Sequence, residues 1–337
     1  MAKLKICILG AGSIGCYLGA YLQNSGLEIY FYGRERIQNV IQKFGFQITN
    51  QNGNKFLIKS EHIKFYTKIS EIPIADVYIF TVKSGDTESI AREIKEKISS
   101  DSIIISFQNG VSNKERIEKI LTNRKILSGM VPFNVVNLGE GKFHSGTSGE
   151  LCLEESNQSR VIATSFQNSG LSIKVTNNMK GILWGKLIFN LNNPINALAG
   201  VPLKEELSNP KYRKILALCM KEALSILSKS NITPKGSGSM IPSIAPYILS
   251  LPNFLFFKIA SKMIRIDPSA RSSMWEDLEN KRKTEIDFLN GEIVLLGKTL
   301  GTSTPINTRI FELIKETESK RLGSPALSPE QILPEIF

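Results

Sequence analysis

Residues 4–34 read LKICILGAGSIGCYLGAYLQNSGLEIYFYGR, a strand pattern, a glycine turn, a helix pattern and a second strand pattern in immediate succession. The apolar run 4–9 suits a buried strand, 13–24 a helix that stops near Gly26, and 27–32 a second strand. Together they form a β-α-β unit, which the twist of its strands makes right-handed. Gly10, Ala11, Gly12, Ser13, Ile14 and Gly15 spell G-x-G-x-x-G at the junction of strand and helix. Alone, that pattern is weak; between a strand and a helix it has a physical rationale as a dinucleotide site. Gly10 permits the tight turn, Gly12 leaves room for a pyrophosphate to reach the backbone, and Gly15 lets helix and strand pack closely. The first helical turn then offers N–H groups and the positive end of the helix dipole to phosphate. A glycine-rich turn without a ligand is the bland alternative, and the surrounding strand-turn-helix-strand order argues against it.

Further apolar runs at 77–82, 103–107 and 126–130, with helical patterns at 88–98 and 114–121, continue an alternating α/β plan. Residues 143–175 read as short strands and turns around one helix near 159–169. After Thr176 the character changes, and 178–198, 211–230 and 274–300 are long and helical in pattern. The expected architecture is an N-terminal Rossmann-type α/β dinucleotide-binding domain, residues 1–176, followed by a C-terminal all-helical substrate and catalytic domain, residues 177–337. A chain of 337 residues has room for two such cores. Residues 233–239 are expected to be a loop, and the proline-bearing tail from Gly323 to be loosely ordered.

Hydrophobic content of 42% and charged content of 22% point to globular packing and away from disorder or coiled coil. The net charge of +11 is spread thinly, without the basic block of a nucleic-acid arm, so no nucleic-acid partner is expected. Its densest run, Lys281-Arg282-Lys283, falls in a helical pattern and reads as a solvated helix face. Cys7, Cys16, Cys152 and Cys219 form no C-x-x-C pair, and with His62 and His144 the only histidines no metal site is expected. The lack of a disulfide framework favours a reducing, cytoplasmic setting. Residues 1–9 are too short an apolar run for a signal peptide. Residues 241–264 are apolar, but Pro242, Pro246, Pro252, Lys258 and Lys262 interrupt them. A buried or partner-facing helical segment is expected there rather than a membrane span, with internal packing and a homodimer contact both open.

The end of the second strand selects the cofactor. An acidic residue there would accept hydrogen bonds from the ribose hydroxyls of NAD; Gly33-Arg34 stands there instead, and arginine can pair with the 2′-phosphate of NADPH. Arg36 is close, with Glu35 between the two. Lys83, in T-V-K-S at the end of the 77–82 run, is a candidate for the cofactor phosphates. Asn109, in Q-N-G after 103–107, either contacts the nicotinamide ribose or the substrate, or simply makes a turn.

Two clusters in the helical half carry chemistry. Lys186 and Asn190 are four apart and share a helix face, with Asn193 close to it, in a helix otherwise rich in Ile, Leu and Phe. Amides on a buried face need partners, and a polar ligand supplies them. Ser273, Asp277 and Glu285 fall within an arc of roughly 120° if 274–300 is one helix.

These residues resemble the ketopantoate reductases (2-dehydropantoate 2-reductases) over nearly the whole chain. The likeness covers Gly10–Gly15, Arg34, Lys83 in T-V-K-S, Asn109-Gly110, Lys186 with Asn190, and S-S-M-x-x-D…T-E-I-D…N-G from Ser272 to Gly291. The spacing of Ser273, Asp277 and Glu285 separates it from β-hydroxyacid dehydrogenases, which share K-x-x-x-N. The resemblance implies that NADPH reduces the C2 ketone of 2-dehydropantoate to give pantoate, a precursor of pantothenate and coenzyme A. It implies Lys186 as general acid, Glu285 as the residue that orients or pairs with it, Asn190, Asn193 and Ser273 as substrate contacts, and Asn109 between cofactor and substrate. Two departures stand out. The spacing from Asn190 to Asn193 is one residue shorter than usual, and the 234–268 segment is longer than in the simplest members. Reduction of another 2-oxo acid or ketone is the first alternative, and an NADPH-binding regulatory protein without turnover is the second; the Lys186, Glu285 and Ser273 set argues against the second.

Overall fold

In the computed structural model, which describes residues 4–236, 241–260 and 269–336, β1 (Lys5–Leu9) lies at the heart of a parallel sheet. The chain divides into two units, Met1–Met179 and Lys180–Phe337. The strands of the first are β2 (Glu28–Tyr32), β3 (Phe46–Asn50), β4 (Lys55–Ile58), β5 (Lys64–Tyr66), β6 (Val77–Phe80), β7 (Ile103–Ser106), β8 (Lys125–Met130), β9 (Val135–Asn137), β10 (Lys142–Ser145), β11 (Leu151–Glu154) and β12 (Ile173–Thr176). Its helices are α1 (Ser13–Asn24), α2 (Glu35–Phe44), α3 (Thr87–Ile94), α4 (Asn113–Glu118) and α5 (Ser159–Asn168). The large sheet runs β12-β11-β8-β7-β6-β1-β2-β5, parallel except where β11 meets β8. Ile8 stands opposite Phe31 and Ile79 in the register of β1 with β2 and β6.

Because side chains alternate along a strand, β1 feeds two cores. Ile6 and Ile8 join Leu18, Leu22, Phe31 and Phe166 on one face; Cys7 and Leu9 join Ile90, Ile94, Ile117 and Leu121 on the other. Both faces of the sheet are therefore covered, which explains why its strands read as continuous apolar runs. A second sheet, β4-β3-β10-β9, lies against α1, where Tyr21 meets Phe56 with ring centroids 4.9 Å apart. The sequence analysis did not anticipate this sheet, whose β3 and β10 pair in parallel from segments far apart in the chain.

The second unit is all helical: α6 (Met179–Asn190), α7 (Asn192–Ala199), α8 (Leu203–Ser208), α9 (Pro210–Lys229), α10 (Ala245–Leu249), α11 (Asn253–Ala260), α12 (Ser273–Glu279), α13 (Asn290–Thr299), α14 (Pro305–Lys320) and α15 (Pro329–Ile332). Polar side chains of α9 organise it. Glu222 accepts from the backbone N–H groups of Ile306 (3.0 Å) and Asn307 (2.9 Å), placing a carboxylate at the positive end of α14. Arg213, fully buried, donates to the carbonyls of Leu207, Ser208, Leu249 and Leu251 and to Asn253 Oδ1, and its guanidinium lies 4.2 Å from the Phe256 ring centroid. One side chain thus ties together the ends of α8, α10 and α11.

Four expectations are corrected. The 178–198 pattern is two helices, because Pro194 has no N–H to give the Asn190 carbonyl. The 274–300 pattern is also broken. Lys281 takes a left-handed φ of 55°, Lys281 N donates to Leu278 O and Arg282 N to Asp277 O, a C-terminal cap that ends α12. The Lys281-Arg282-Lys283 run therefore lies in a turn rather than on a helix face. The tail from Gly323 is fixed to the helical unit: Leu327 N donates to Leu198 O, Tyr212 Oη donates to Leu327 O, and Ile332 is buried on a capping box formed by Ser328 and Gln331. Residues 232–236 form no regular element, and 237–239 of the expected loop lie outside the described residues. Within 241–260, Leu249 and Phe256 are buried while Tyr247 and Phe254 are 67% and 73% exposed; residues 261–264 lie outside the described set. Among the described residues no helix is long and apolar enough to cross a membrane.

Candidate functional site

In the first unit the glycine turn is shaped by steric necessity. Gly10 has a φ of 111°, and a Cβ there would lie 2.4 Å from Val82 N; a Cβ at Gly15 would lie 2.2 Å from Gly10 O. Gly12 differs, since a Cβ there would meet no protein atom within 4 Å. The protein's own packing does not require Gly12 to be glycine, whereas close approach of a pyrophosphate would. No side chain caps α1, whose N-cap is Gly12, so no capping side chain takes up the N–H groups of its first turn. Ser13 and Ile14 are half-buried in that first turn. These features fit a dinucleotide.

Gly10 N and Ala11 N both donate to Tyr32 O, at 3.0 and 2.7 Å. This clamps the turn to the end of β2 and sets Arg34, the N-cap of α2, beside it. The Arg34 side chain is 75% exposed and lies 3.7 Å from Asp86 Oδ2. Asp86 was not singled out from the sequence; its signal is an acid three residues beyond Lys83 in the loop that follows β6. Lys83 is half-buried there. Asn109 follows β7 in a turn whose Gly110 has a φ of 90°. Ser84 Oγ (2.7 Å) and Asn113 Nδ2 (2.5 Å) donate to the Asn109 carbonyl, and Gln108 Nε2 donates to Val82 O (3.0 Å) and Thr87 Oγ1 (2.7 Å). The loops that carry Lys83 and Asn109 are therefore interlocked by buried polar groups.

In the second unit Lys186 and Asn190 share one face of α6, both half-buried. Burial pushes the Lys186 ammonium down to about 8, and the negative charge of Glu285 opposes that shift. Gly185, the residue before it, lets the 232–236 segment cross α6: a Cβ there would lie 1.8 Å from Lys235 O, and Lys235 N donates to Gly181 O at 2.8 Å. Glu285 is not on the helix of Ser273 and Asp277. It follows the break after α12 and precedes a short 3-10 turn, Ile286–Phe288, so folding rather than helical periodicity couples it to Lys186. Asp277 is buried and pairs with Arg282 Nε at 3.1 Å, which gives it a structural partner. Ser273 is the exposed first residue of α12, and its neighbour Ser272 caps that helix by accepting from Trp275 N at 3.1 Å. Ser272 Oγ also donates to Asn193 O at 3.0 Å, which brings Asn193, on α7, next to the start of α12. Gly185 and Ser272 were missed as site-shaping residues; the first was legible as a small residue beside the candidate lysine, the second only as the first serine of S-S-M.

The model of the family "Ketopantoate reductase PanE/ApbA" matches residues 6–158, and that of its C-terminal domain matches residues 178–318. A 2-dehydropantoate 2-reductase of Archaeoglobus fulgidus is 26% identical over 328 residues, spanning 95% of this chain and 99% of that one. A PanE/ApbA family ketopantoate reductase of Ralstonia eutropha superposes with a TM-score of 0.81 at 26% identity, covering 94% of this chain and 99% of that one. A D-mandelate dehydrogenase, solved with NADH and anilino(oxo)acetate, shares the fold with a TM-score of 0.79 at 23% identity, covering 94% and 99%.

Proposed function

Because this chain belongs to the ketopantoate reductase family, we propose that it is the NADPH-dependent oxidoreductase that reduces 2-dehydropantoate to pantoate. The observation that carries the chemistry is Lys186, whose ammonium burial lowers to about 8 while Glu285 holds it up. NADPH, when bound, supplies the hydride to the C2 ketone. Negative charge then develops on the ketone oxygen, where an ammonium both stabilises it and donates a proton. Lys186 Nζ is that donor; it becomes a neutral amine and is reprotonated from solvent. A donor with a pKa near 8 is charged at neutral pH yet gives up its proton readily.

Glu285 keeps Lys186 charged. Asn190, Asn193 and Ser273 would hold the 2-oxo acid, and Asn109 would sit between cofactor and substrate. Gly10, Ala11, Gly12, Ser13, Ile14 and Gly15 would hold the pyrophosphate at the α1 N-terminus. Arg34 and Lys83 would hold the phosphates, and Arg34, exposed at the N-cap of α2, would offer its guanidinium to a 2′-phosphate. The buried thiols of Cys7, Cys16, Cys152 and Cys219 suit a reducing compartment, and we place the reaction in the cytoplasm.

Purified protein mixed with NADPH and 2-dehydropantoate is expected to lose nicotinamide absorbance, and more slowly with NADH. Turnover of a different 2-oxo acid but not of this one would replace the substrate. A preference for NADH would overturn the role of Arg34, and failure with every 2-oxo acid would overturn the enzymatic reading.

A further inference from the structure

One buried acid has no part in the proposed chemistry. Glu206, on α8, is 1% exposed, and burial raises its carboxyl pKa to about 8 against opposing hydrogen bonds from Asn196 and Asn192. Asn196, fully buried on α7, uses its amide in three directions. Nδ2 donates to Glu206 Oε2 at 2.6 Å and to Val201 O at 2.9 Å, and Oδ1 accepts from Ser272 N at 2.8 Å. Ser272 Oγ then donates to Asn193 O at 3.0 Å while capping α12. A continuous path thus runs from α8 through α7 to the N-cap of α12 and back to α7. It ends at the backbone of Asn193 and at the residue before Ser273.

An apolar contact could hold three helices together, but directional hydrogen bonds fix their register. We propose that Glu206 is a positioning residue for the substrate site, acting through Asn196 and Ser272 to fix Asn193 against Ser273. The proposal rests on the reading of Asn193 and Ser273 as substrate contacts. The neutral acid is the form that suits the network. Burial disfavours its charge, and the neutral carboxyl still keeps Oε2 as the acceptor for Asn196 Nδ2. A glutamine is likewise neutral and of the same length, and it keeps an oxygen for Asn196 Nδ2.

The test separates positioning from mere support. Glu206→Ala should raise KM for the 2-oxo acid by about tenfold or more, with NADPH affinity within about twofold of the parent. Glu206→Gln should keep KM within about threefold, since it preserves the path. Ser272→Ala, which cuts the path at its far end, should reproduce the rise in KM and carries the test should Glu206→Ala fail to fold. Hydrogen exchange reads the network without turnover: amides in 190–200 and 269–279 should exchange faster in Glu206→Ala and not in Glu206→Gln. A glutamine variant as impaired as the alanine variant overturns the proposal, as does an unchanged KM or an equal loss of cofactor affinity. If the parent turns over no 2-oxo acid, the proposed function fails, while unchanged exchange in those two segments is what would defeat the network.

Discussion

The two units assemble polar sites in opposite ways. In the first, a Cβ at Gly10 or Gly15 would meet atoms of β1, of the turn itself and of the loop after β6, and the proposed cofactor site relies mostly on main-chain N–H groups. In the second, Lys186, Asn193, Ser273 and Glu285 come from four separate segments, and the buried side chains of Asn196 and Ser272 link α7, which carries Asn193, to the start of α12. A site built from backbone depends on a few residues that lack side chains. A site built from side chains depends on residues that never touch the ligand.

The largest expected effect tests whether Lys186 serves the chemical step rather than cofactor binding. Lys186→Ala should lower kcat by about 10²–10⁴-fold, the usual worth of a positioned general acid, while NADPH affinity measured by titration stays near the parent value. Comparable loss of cofactor binding would overturn the proposed role of Lys186 as the proton donor. Arg213→Ala comes next. It strands several buried carbonyls at the ends of α8 and α10, and the expected cost is about 3 kcal/mol or more in chemical denaturation. Hydrogen exchange should rise in 203–208 and 245–256; an unaffected variant would mean that the helical unit does not depend on its buried polar groups. Arg34→Ala should weaken NADPH by roughly 10–100-fold and NADH little, since one charge-assisted pairing is lost. Equal weakening of both cofactors would remove the 2′-phosphate from Arg34.

The same contrast governs what could be read in advance. The Rossmann-type sheet was legible because its strands are buried on both faces and its glycine turn keeps a fixed spacing within six residues, 10–15. The second sheet was not, because β3 and β10 pair across nearly a hundred residues and each is too short to announce its partner. In the helical unit, Lys186 and Asn190 could be placed on one face because they lie on one helix. The proposed arc of Ser273, Asp277 and Glu285 assumed a helix that Lys281 ends by entering the left-handed region. A lysine is a poor sequence signal for such a stop, which glycine or asparagine usually makes. Lys186 and Glu285 nevertheless interact, through a fold that periodicity could not supply.

That interaction gives the smallest and most discriminating effect. With Lys186 as the proposed proton donor, kcat/KM for reduction should be level at neutral pH and fall about tenfold per unit as pH rises beyond about 8. The reverse oxidation requires the neutral amine and should instead rise through the same pH. Glu285 opposes the downward shift caused by burial. Glu285→Gln keeps the side chain's size but removes its charge, so the Lys186 pKa should fall further and the basic limb should move to lower pH. A limb that stays in place would mean that Glu285 holds the lysine's geometry and not its charge. A limb that moves upward would contradict the pairing itself, and with it the claim that folding, without help from helical periodicity, brings these two residues together.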